Sequence, residues 1–188
     1  MVPCPVLTIP TERHRAEGSS SMEKTSATLN RILVPVDFSD CSLDALEYGA
    51  LVAQRSQASI TLLHVLESVS YGLDFTLPRV MKREQVRTEL TGRLSKLASA
   101  LASAGVPSEF AISGGLPADS LLDTARSQLV DLIIMGTHGR RGLSHTLFGS
   151  VAESVLRRSS CPVLTVRSPK FRPGHRRVLS SQLIPASH

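Results

Sequence analysis

Five short apolar runs alternate with four amphipathic segments along the chain, and this alternation limits the fold more than any other feature. The runs are rich in Val, Ile and Leu and are too short to be helices. Runs that are apolar throughout are typical of a parallel sheet that helices cover on both faces. We therefore predict an α/β fold, an open, doubly wound, parallel five-stranded sheet with helices on both faces and Rossmann-like layering. The predicted strands are 31–36, 58–67, 107–113, 130–136 and 161–166.

The segments between these strands carry helix periodicity together with helix start and stop signals. Ser39 or Asp40 can cap the first helix, Pro78 suits the first turn of the second, and Gly105 ends it. The predicted helices span about 40–57, 78–104, 116–128 and 149–159. The predicted apolar stripes are Leu43, Leu46, Ala50 and Val52 or Ala53 on the first helix, and Val86, Leu90, Leu94, Leu97 and Leu101 on the second.

The excess of positive charge is confined to the end of the chain. The net charge is +5, yet residues 31–166 hold 13 basic and 13 acidic side chains, and residues 1–30 hold three of each. A neutral middle argues against a nucleic-acid-binding face and leaves only a short basic tail. We predict one domain over 31–167, between an N-terminal extension, 1–30, and a basic tail, 168–188.

The cysteines and the hydropathy pattern bear on the compartment. Cys4, Cys41 and Cys161 are odd in number and lack CxxC or Cys/His spacing, which favours a reducing compartment over disulfides or structural zinc. No run approaches the roughly 20 apolar residues that span a bilayer. The apolar N-terminal patch is short and broken by prolines, so it is a poor signal peptide. The predicted location is the cytoplasm, without membrane attachment.

One short sequence occurs almost twice. "CPVLTI" at residues 4–9 differs from "CPVLTV" at residues 161–166 only in its last residue. The similarity is either a coincidence between two apolar strands or a remnant of the last strand of a preceding copy of the domain. In the second case residues 4–9 would occupy the edge of their own sheet or of a partner's sheet, and the complete copy would begin near Met22.

A set of small residues with fixed spacing follows the fourth predicted strand: Gly136, Gly139, Gly149 and Ser150. In open α/β sheets ligands bind beyond the carboxyl ends of the strands, where the strand order reverses. Asp37 ends the first strand and faces the same crevice if the first and fourth strands are neighbours. The helix after Gly149 presents unpaired amides that suit a phosphate, and Asp37 can accept hydrogen bonds from a ribose or organise a metal's waters. Alternatively, the glycines only permit a turn and a helix cap.

These residues carry a resemblance to a known family. The sequence resembles the universal stress protein family, whose ATP-binding members have glycine, two residues, glycine, nine residues, glycine, then Ser or Thr. The resemblance runs from 31 to 166, through "ILVPVDFSD", "LLHVLE", "DLIIMGTHGRRGL" and "GSVAESVLRRSSCPVLTVR". It implies a fold of the adenine nucleotide alpha hydrolase type with ATP or a related adenine nucleotide in the crevice. It also implies Mg²⁺ or Mn²⁺ held mainly by phosphate and water.

The resemblance assigns positions around the nucleotide. Residues 35–37 border the adenosine, Val65 packs against the base, residues 135–136 lie near base and ribose, residues 138–140 lie near the phosphates, and residues 149–151 hold the phosphates. The implied nucleotide-binding residues are therefore Pro35, Val36, Asp37, Val65, Met135, Gly136, His138, Gly139, Arg140, Gly149, Ser150 and Val151. Arg141 departs from the small residue often found there. The resemblance also implies a homodimer through the last strand.

The sequence favours a binding module over a fast enzyme. No Lys follows the last glycine, as a Walker A loop requires, and no GxGxxG follows the first strand. With no evident base for water and no Lys or paired acids around the phosphates, we predict a nucleotide-dependent stress-response module with at most slow hydrolysis. One alternative is a slow ATPase or phosphotransferase using Asp37, His138 and His145; another is a nucleotide-free dimeric interaction protein. His64 is predicted to be a core histidine bonded to backbone.

Overall fold

The computed structural model describes residues 5–10, 28–67, 77–138 and 148–167, with side chains described throughout except at 77–83. Within these ranges strands and helices alternate as the sequence predicts, after one additional N-terminal strand. The elements are β1 (Val6–Thr8), β2 (Arg31–Pro35), α1 (Asp40–Ser56), β3 (Ser59–Glu67), α2 (Leu77–Ser103), β4 (Ser108–Gly115), α3 (Pro117–Ser127), β5 (Leu132–Gly136), α4 (Ser150–Arg158) and β6 (Val163–Val166).

The strands form one sheet in the order β1-β6-β5-β2-β3-β4. Strands β2 to β6 are parallel, which confirms the α/β class and the predicted five-stranded parallel arrangement. The sheet has one more strand than predicted, because β1 pairs with β6 in the antiparallel sense. In the described structure β1 covers the outer edge of β6, so residues 6–8 occupy the edge of their own sheet, one of the two places that the near-copy left open.

Helices cover both faces of the sheet. Successive strand residues point to opposite sides, so each face has apolar side chains that a helix can bury. On one face Ile32 and Val34 pack with Leu46 of α1 and Leu94 of α2. On the other face a second buried cluster joins the sheet to α3 and α4: Leu33, Leu63, Leu121, Leu122, Met135, Ala152 and Val155. The doubly wound layering is therefore confirmed. No helix in the described ranges combines the length and apolar character needed to cross a bilayer.

The helix boundaries follow the local signals in the sequence. Ser39 is the N-cap of α1 and accepts a hydrogen bond from the Ser42 amide. Gly105 follows α2 with φ of +79°, a left-handed conformation that glycine adopts without strain. Ala53, rather than Val52, completes the buried stripe of α1.

One prediction for the second helix is wrong. Val86 is 40% exposed, whereas Leu90, Leu94, Leu97 and Leu101 are buried. Residues 84–89 of α2 are all exposed, and the buried positions begin at Leu90. The turn that contains Val86 therefore does not pack against either buried cluster.

Candidate functional site

The strand order reverses between β2 and β5. From β2 the chain continues outward through β3 to β4, then returns to β5 on the other side of β2. Ile32 pairs with Leu132 and Leu33 with Ile133, so the predicted neighbours lie side by side. Asp37, just beyond β2, and Gly136, at the end of β5, are therefore brought to one crevice at the carboxyl end of the sheet, where such folds bind ligands.

The β2 side of this crevice is held by β3. The Val36 amide donates to the Leu63 carbonyl oxygen at 2.8 Å, and His64 Nδ1 lies 2.6 Å from the Val36 carbonyl oxygen. A carbonyl oxygen can only accept, so Nδ1 carries the proton. His64 is 5% exposed, which confirms the prediction of a core histidine bonded to backbone. The Val36–Asp37 backbone is thereby fixed to the neighbouring strand.

Asp37 and Ser39 organise the N-terminus of α1. Asp37 Oδ1 accepts from the Ser39 amide at 3.0 Å and from Ser39 Oγ at 2.5 Å. Ser39 Oγ in turn accepts from the Ser42 amide, so this helix begins with a side-chain cap. Phe38, between them, has φ of +63°, and the Arg93 guanidinium lies 3.7 Å from the centre of its ring.

The N-terminus of α4 is built differently. Its N-cap is Gly149, which has no side chain to accept from the helix amides. The Gly149 amide donates to the Thr137 carbonyl oxygen at 2.7 Å, which ties the start of α4 to the end of β5. The first helical hydrogen bond runs from Glu153 to Gly149, so the amides of residues 150–152 have no acceptor inside the helix. Those amides and the positive end of the helix dipole suit an anion.

The two described glycines of the motif serve different needs. A Cβ on Gly136 would lie 2.8 Å from Cys41 Sγ and 2.9 Å from the Cys41 carbonyl carbon and oxygen. Gly136 therefore lets β5 pack directly against the first turn of α1. A Cβ on Gly149 would meet the Thr137 oxygen at 3.4 Å, an ordinary contact, and φ of −71° suits any residue.

The structure groups the remaining predicted site residues by face of the sheet. Met135 is buried in the cluster under α3 and α4, and Val65 and Val151 pack partly buried against the same cluster. Val36 is buried on the opposite face, in the cluster with residues of α1 and α2. Pro35 is half-buried at the end of β2.

Part of the predicted phosphate loop lies outside the described residues, including Gly139, Arg140, Arg141 and His145. His138 is described, and its Nδ1 lies 3.0 Å from Thr137 Oγ1. Thr137 was not among the predicted site residues, although it is 4% exposed and connects β5 to β6 and α4. Its amide donates to the Val166 carbonyl oxygen, and its own carbonyl oxygen accepts from the Gly149 amide. No local pattern identifies such a residue, because its role depends on which strands become neighbours.

Among the described residues, no three His, Cys, Asp or Glu side chains converge on one point. Asp37 is the carboxylate that follows β2 directly, and it belongs to the turn that caps α1.

Known proteins resemble the chain in sequence and in fold. The family model described as "Universal stress protein family" matches residues 28–167. Universal stress protein MJ0531 of Methanocaldococcus jannaschii is 33% identical over 141 residues, which cover 74% of this chain and 83% of that protein.

Solved structures of similar fold extend this comparison. The universal stress protein UspA from Lactobacillus plantarum has a TM-score of 0.69 at 26% identity and covers 75% of this chain and 99% of its own. A universal stress protein in complex with cAMP has a TM-score of 0.58 at 24% identity and covers 75% of this chain and 98% of its own. At 24% identity, this second likeness concerns the fold alone.

Proposed function

This chain belongs to the universal stress protein family, and from that premise we propose that it binds ATP or a related adenine nucleotide between β2 and β5. The observation that carries the proposal is the N-terminus of α4, where Gly149 replaces a capping side chain and leaves the amides of residues 150–152 without acceptors in the helix. A phosphate group supplies the missing acceptors and gains from the helix dipole.

The contrast with α1 supports this assignment. The two helices begin after the neighbouring strands β2 and β5, yet Ser39 caps α1 through its own hydroxyl whereas α4 has no such cap. Neither the backbone angles nor the described neighbours of Gly149 require a glycine. A glycine at that position is explained if a larger side chain would compete with a bound phosphate, with Ser150 Oγ and the Val151 amide as further donors.

We assign the adenosine to the space beside the strand ends. Val65 and Val151 are partly buried at the same apolar cluster, which suits the face of a base. Asp37 would accept hydrogen bonds from ribose hydroxyls, close to the backbone of Val36 that His64 fixes. His138, Gly139 and Arg140 are proposed near the phosphates.

Mg²⁺ or Mn²⁺ is proposed to accompany the nucleotide. Oxygen ligands from phosphates and water suit such hard cations, and the site's own contribution would be Asp37 acting through water. The ion, when bound, neutralises charge between adjacent phosphates. The residues of this chain orient the nucleotide, and we propose a binding and signalling module in stress adaptation whose hydrolysis of ATP is slow at most.

One further observation fits the proposed location. The two described cysteines, Cys41 and Cys161, are both free, in keeping with the reducing conditions of the cytoplasm, where we propose that the protein acts.

Denaturing extraction of the purified protein, followed by mass analysis of the released small molecules, tests the proposal. We expect ATP or another adenine nucleotide, and calorimetric titration of the stripped protein with ATP should then give saturable binding. Recovery of intact ATP after long incubation supports a binding module, whereas rapid conversion to ADP contradicts it. A stripped protein that does not bind ATP would favour a nucleotide-free interaction protein.

We also propose that a second copy of the chain is a partner through β6. Pairing between two copies of this strand needs the backbone groups on its outer edge, and in the described structure β1 occupies those groups. The proposed homodimer therefore requires β1 to leave β6.

A further inference from the structure

The pairing of β1 with β6 has an internal symmetry. Val6 faces Thr165, Leu7 faces Leu164 and Thr8 faces Val163. Each strand reads Val-Leu-Thr at these positions, within the near-identical segments 4–9 and 161–166. An antiparallel pair of identical triplets centred on a Leu–Leu pair has a two-fold axis through that pair. The β1–β6 pair therefore has the geometry that two β6 strands from different copies would have.

We propose that β1 takes the place that β6 of a second copy would occupy. The outer edge of β6 is then an interface for a second copy of this chain, and β1 keeps that interface closed. The inference rests on the β6 dimer proposed above and adds a control on it. In the dimer, Leu164 of the two copies would face each other across the axis. Thr165 Oγ1, which here donates to the Val6 carbonyl oxygen at 3.2 Å, would donate to the matching Val163 of the other copy.

The chain connection makes closure by its own β1 easy. Because β1 is antiparallel, Thr8 lies beside Val163, at the same end of the sheet as the start of β2. The two strands are three positions apart in the sheet, about 14 Å, a distance that about five extended residues cover. Residues 9–30 are therefore ample, and tethering gives β1 an effective concentration at β6 of the order of millimolar.

The pairing of β1 with β6 is also weak enough to open. Strand β1 has only three residues, and Val6, Leu7 and the adjacent Ile9 are 54%, 53% and 64% exposed, so little of their apolar surface is buried by the pairing. A short, exposed edge pair belongs to the low-stability end of a fold and opens before the core does. Val163, Thr165 and Val166 of β6 are nearly fully buried, which keeps the underlying edge formed.

The test compares the full chain with a chain lacking residues 1–9, by sedimentation equilibrium over micromolar concentrations. We expect the full chain to be monomeric and the shortened chain to dimerise at least about tenfold more tightly, because removing the tethered competitor frees the edge. Should the shortened chain misfold, as judged by circular dichroism, the double substitution L7P/T8P in the full chain releases β1 instead. The N–H groups of adjacent strand residues face opposite sides, so one of the two prolines removes a donor to β6.

Cross-linking tests the register, in a background with Cys4 and Cys161 changed to Ser. L164C in the shortened chain should give a covalent dimer with a short bis-maleimide, whereas L116C, at an exposed site far from β6, should not. The doubly substituted full chain, L7C with L164C, should cross-link internally and remain monomeric.

Two outcomes would overturn the inference in different ways. A shortened chain that folds, stays monomeric and does not cross-link through position 164 removes both the dimer and its control. If the full, cross-linked and shortened chains dimerise with equal dissociation constants, the chain forms a dimer, but β1 does not control it. Neither outcome bears on the nucleotide site, because ATP titration of all three chains measures that site independently.

Discussion

Replacing Gly149 with Asp should separate the stability of the fold from nucleotide binding, because the same charge acts in opposite directions on the two. Gly149 has φ of −71° and ψ of 159°, which an N-cap Asp adopts readily, and its Cβ would make only an ordinary contact with Thr137. The new carboxylate can accept from the amides of the first turn of α4. We expect G149D to raise the free energy of unfolding of the stripped protein by about 0.3–1 kcal/mol.

The effect on ATP should be much larger and opposite in sign. A carboxylate about 4 Å from a phosphate charge costs from about 1 kcal/mol in water to about 4 kcal/mol near a protein surface. It also takes over the amides that the phosphate would use. The dissociation constant for ATP should therefore rise by a factor between about 5 and about 1000.

L116D is the matched control. Leu116 is the N-cap of α3, also lacks a side-chain cap and is exposed, so this substitution adds the same charge at another helix N-terminus. It should stabilise the fold similarly but leave ATP affinity within about twofold, because β4 lies two strands from β2, beyond a Debye length of about 8 Å. Urea unfolding and calorimetric titration measure the two effects. Unchanged ATP affinity in G149D, or an equal loss in L116D, would refute the reasoning.

Three further substitutions test other parts of the site. G136A should lower the free energy of unfolding by about 1–3 kcal/mol, because its Cβ would collide with the Cys41 backbone, and an unchanged urea midpoint would contradict that packing. H64F should cost about 1–3 kcal/mol by leaving the Val36 carbonyl oxygen unpaired, again measured with urea, and a neutral effect would show that the bond contributes little. D37N keeps the oxygen that Ser39 binds, so unfolding should change little while ATP affinity falls about fivefold, by about 1 kcal/mol. In the absence of divalent ions, dideoxy-ATP, which lacks the ribose hydroxyls, should bind wild type and D37N equally, and an equal loss with both nucleotides would place Asp37 elsewhere.

Much of the fold could be predicted because its signals are local. Apolar runs identified β2 to β6, Ser39 and Gly105 marked helix ends, and the alternation of strands and helices indicated a doubly wound sheet. Val86 was misplaced because a helical stripe does not reveal which turns of the helix pack against the rest of the fold. The near-copy at 4–9 suggested a strand at a sheet edge but left coincidence and a partner's sheet open, and the structure places β1 beside β6 of its own chain.

The elements that surround the candidate site were predictable in outline for the same reason, while the roles of its residues toward a ligand stay predictions. The glycine spacing located the N-terminus of α4, and the carboxyl end of β2 located Asp37. The reason for Gly136 and the role of Thr137 depend on contacts between residues distant in sequence, Gly136 with Cys41 and Thr137 with Gly149 and Val166. Such contacts leave no periodic or motif-like trace in the sequence.

Amide chemical shifts during an ATP titration test the central claim most directly. In isotopically labelled, stripped protein, the amide resonances of Ser150, Val151 and Ala152 should show the largest saturable shifts, accompanied by those of Asp37 and Phe38 across the crevice. Shifts confined to other parts of the chain, or amides at the start of α4 that do not respond at saturating ATP, would contradict the account.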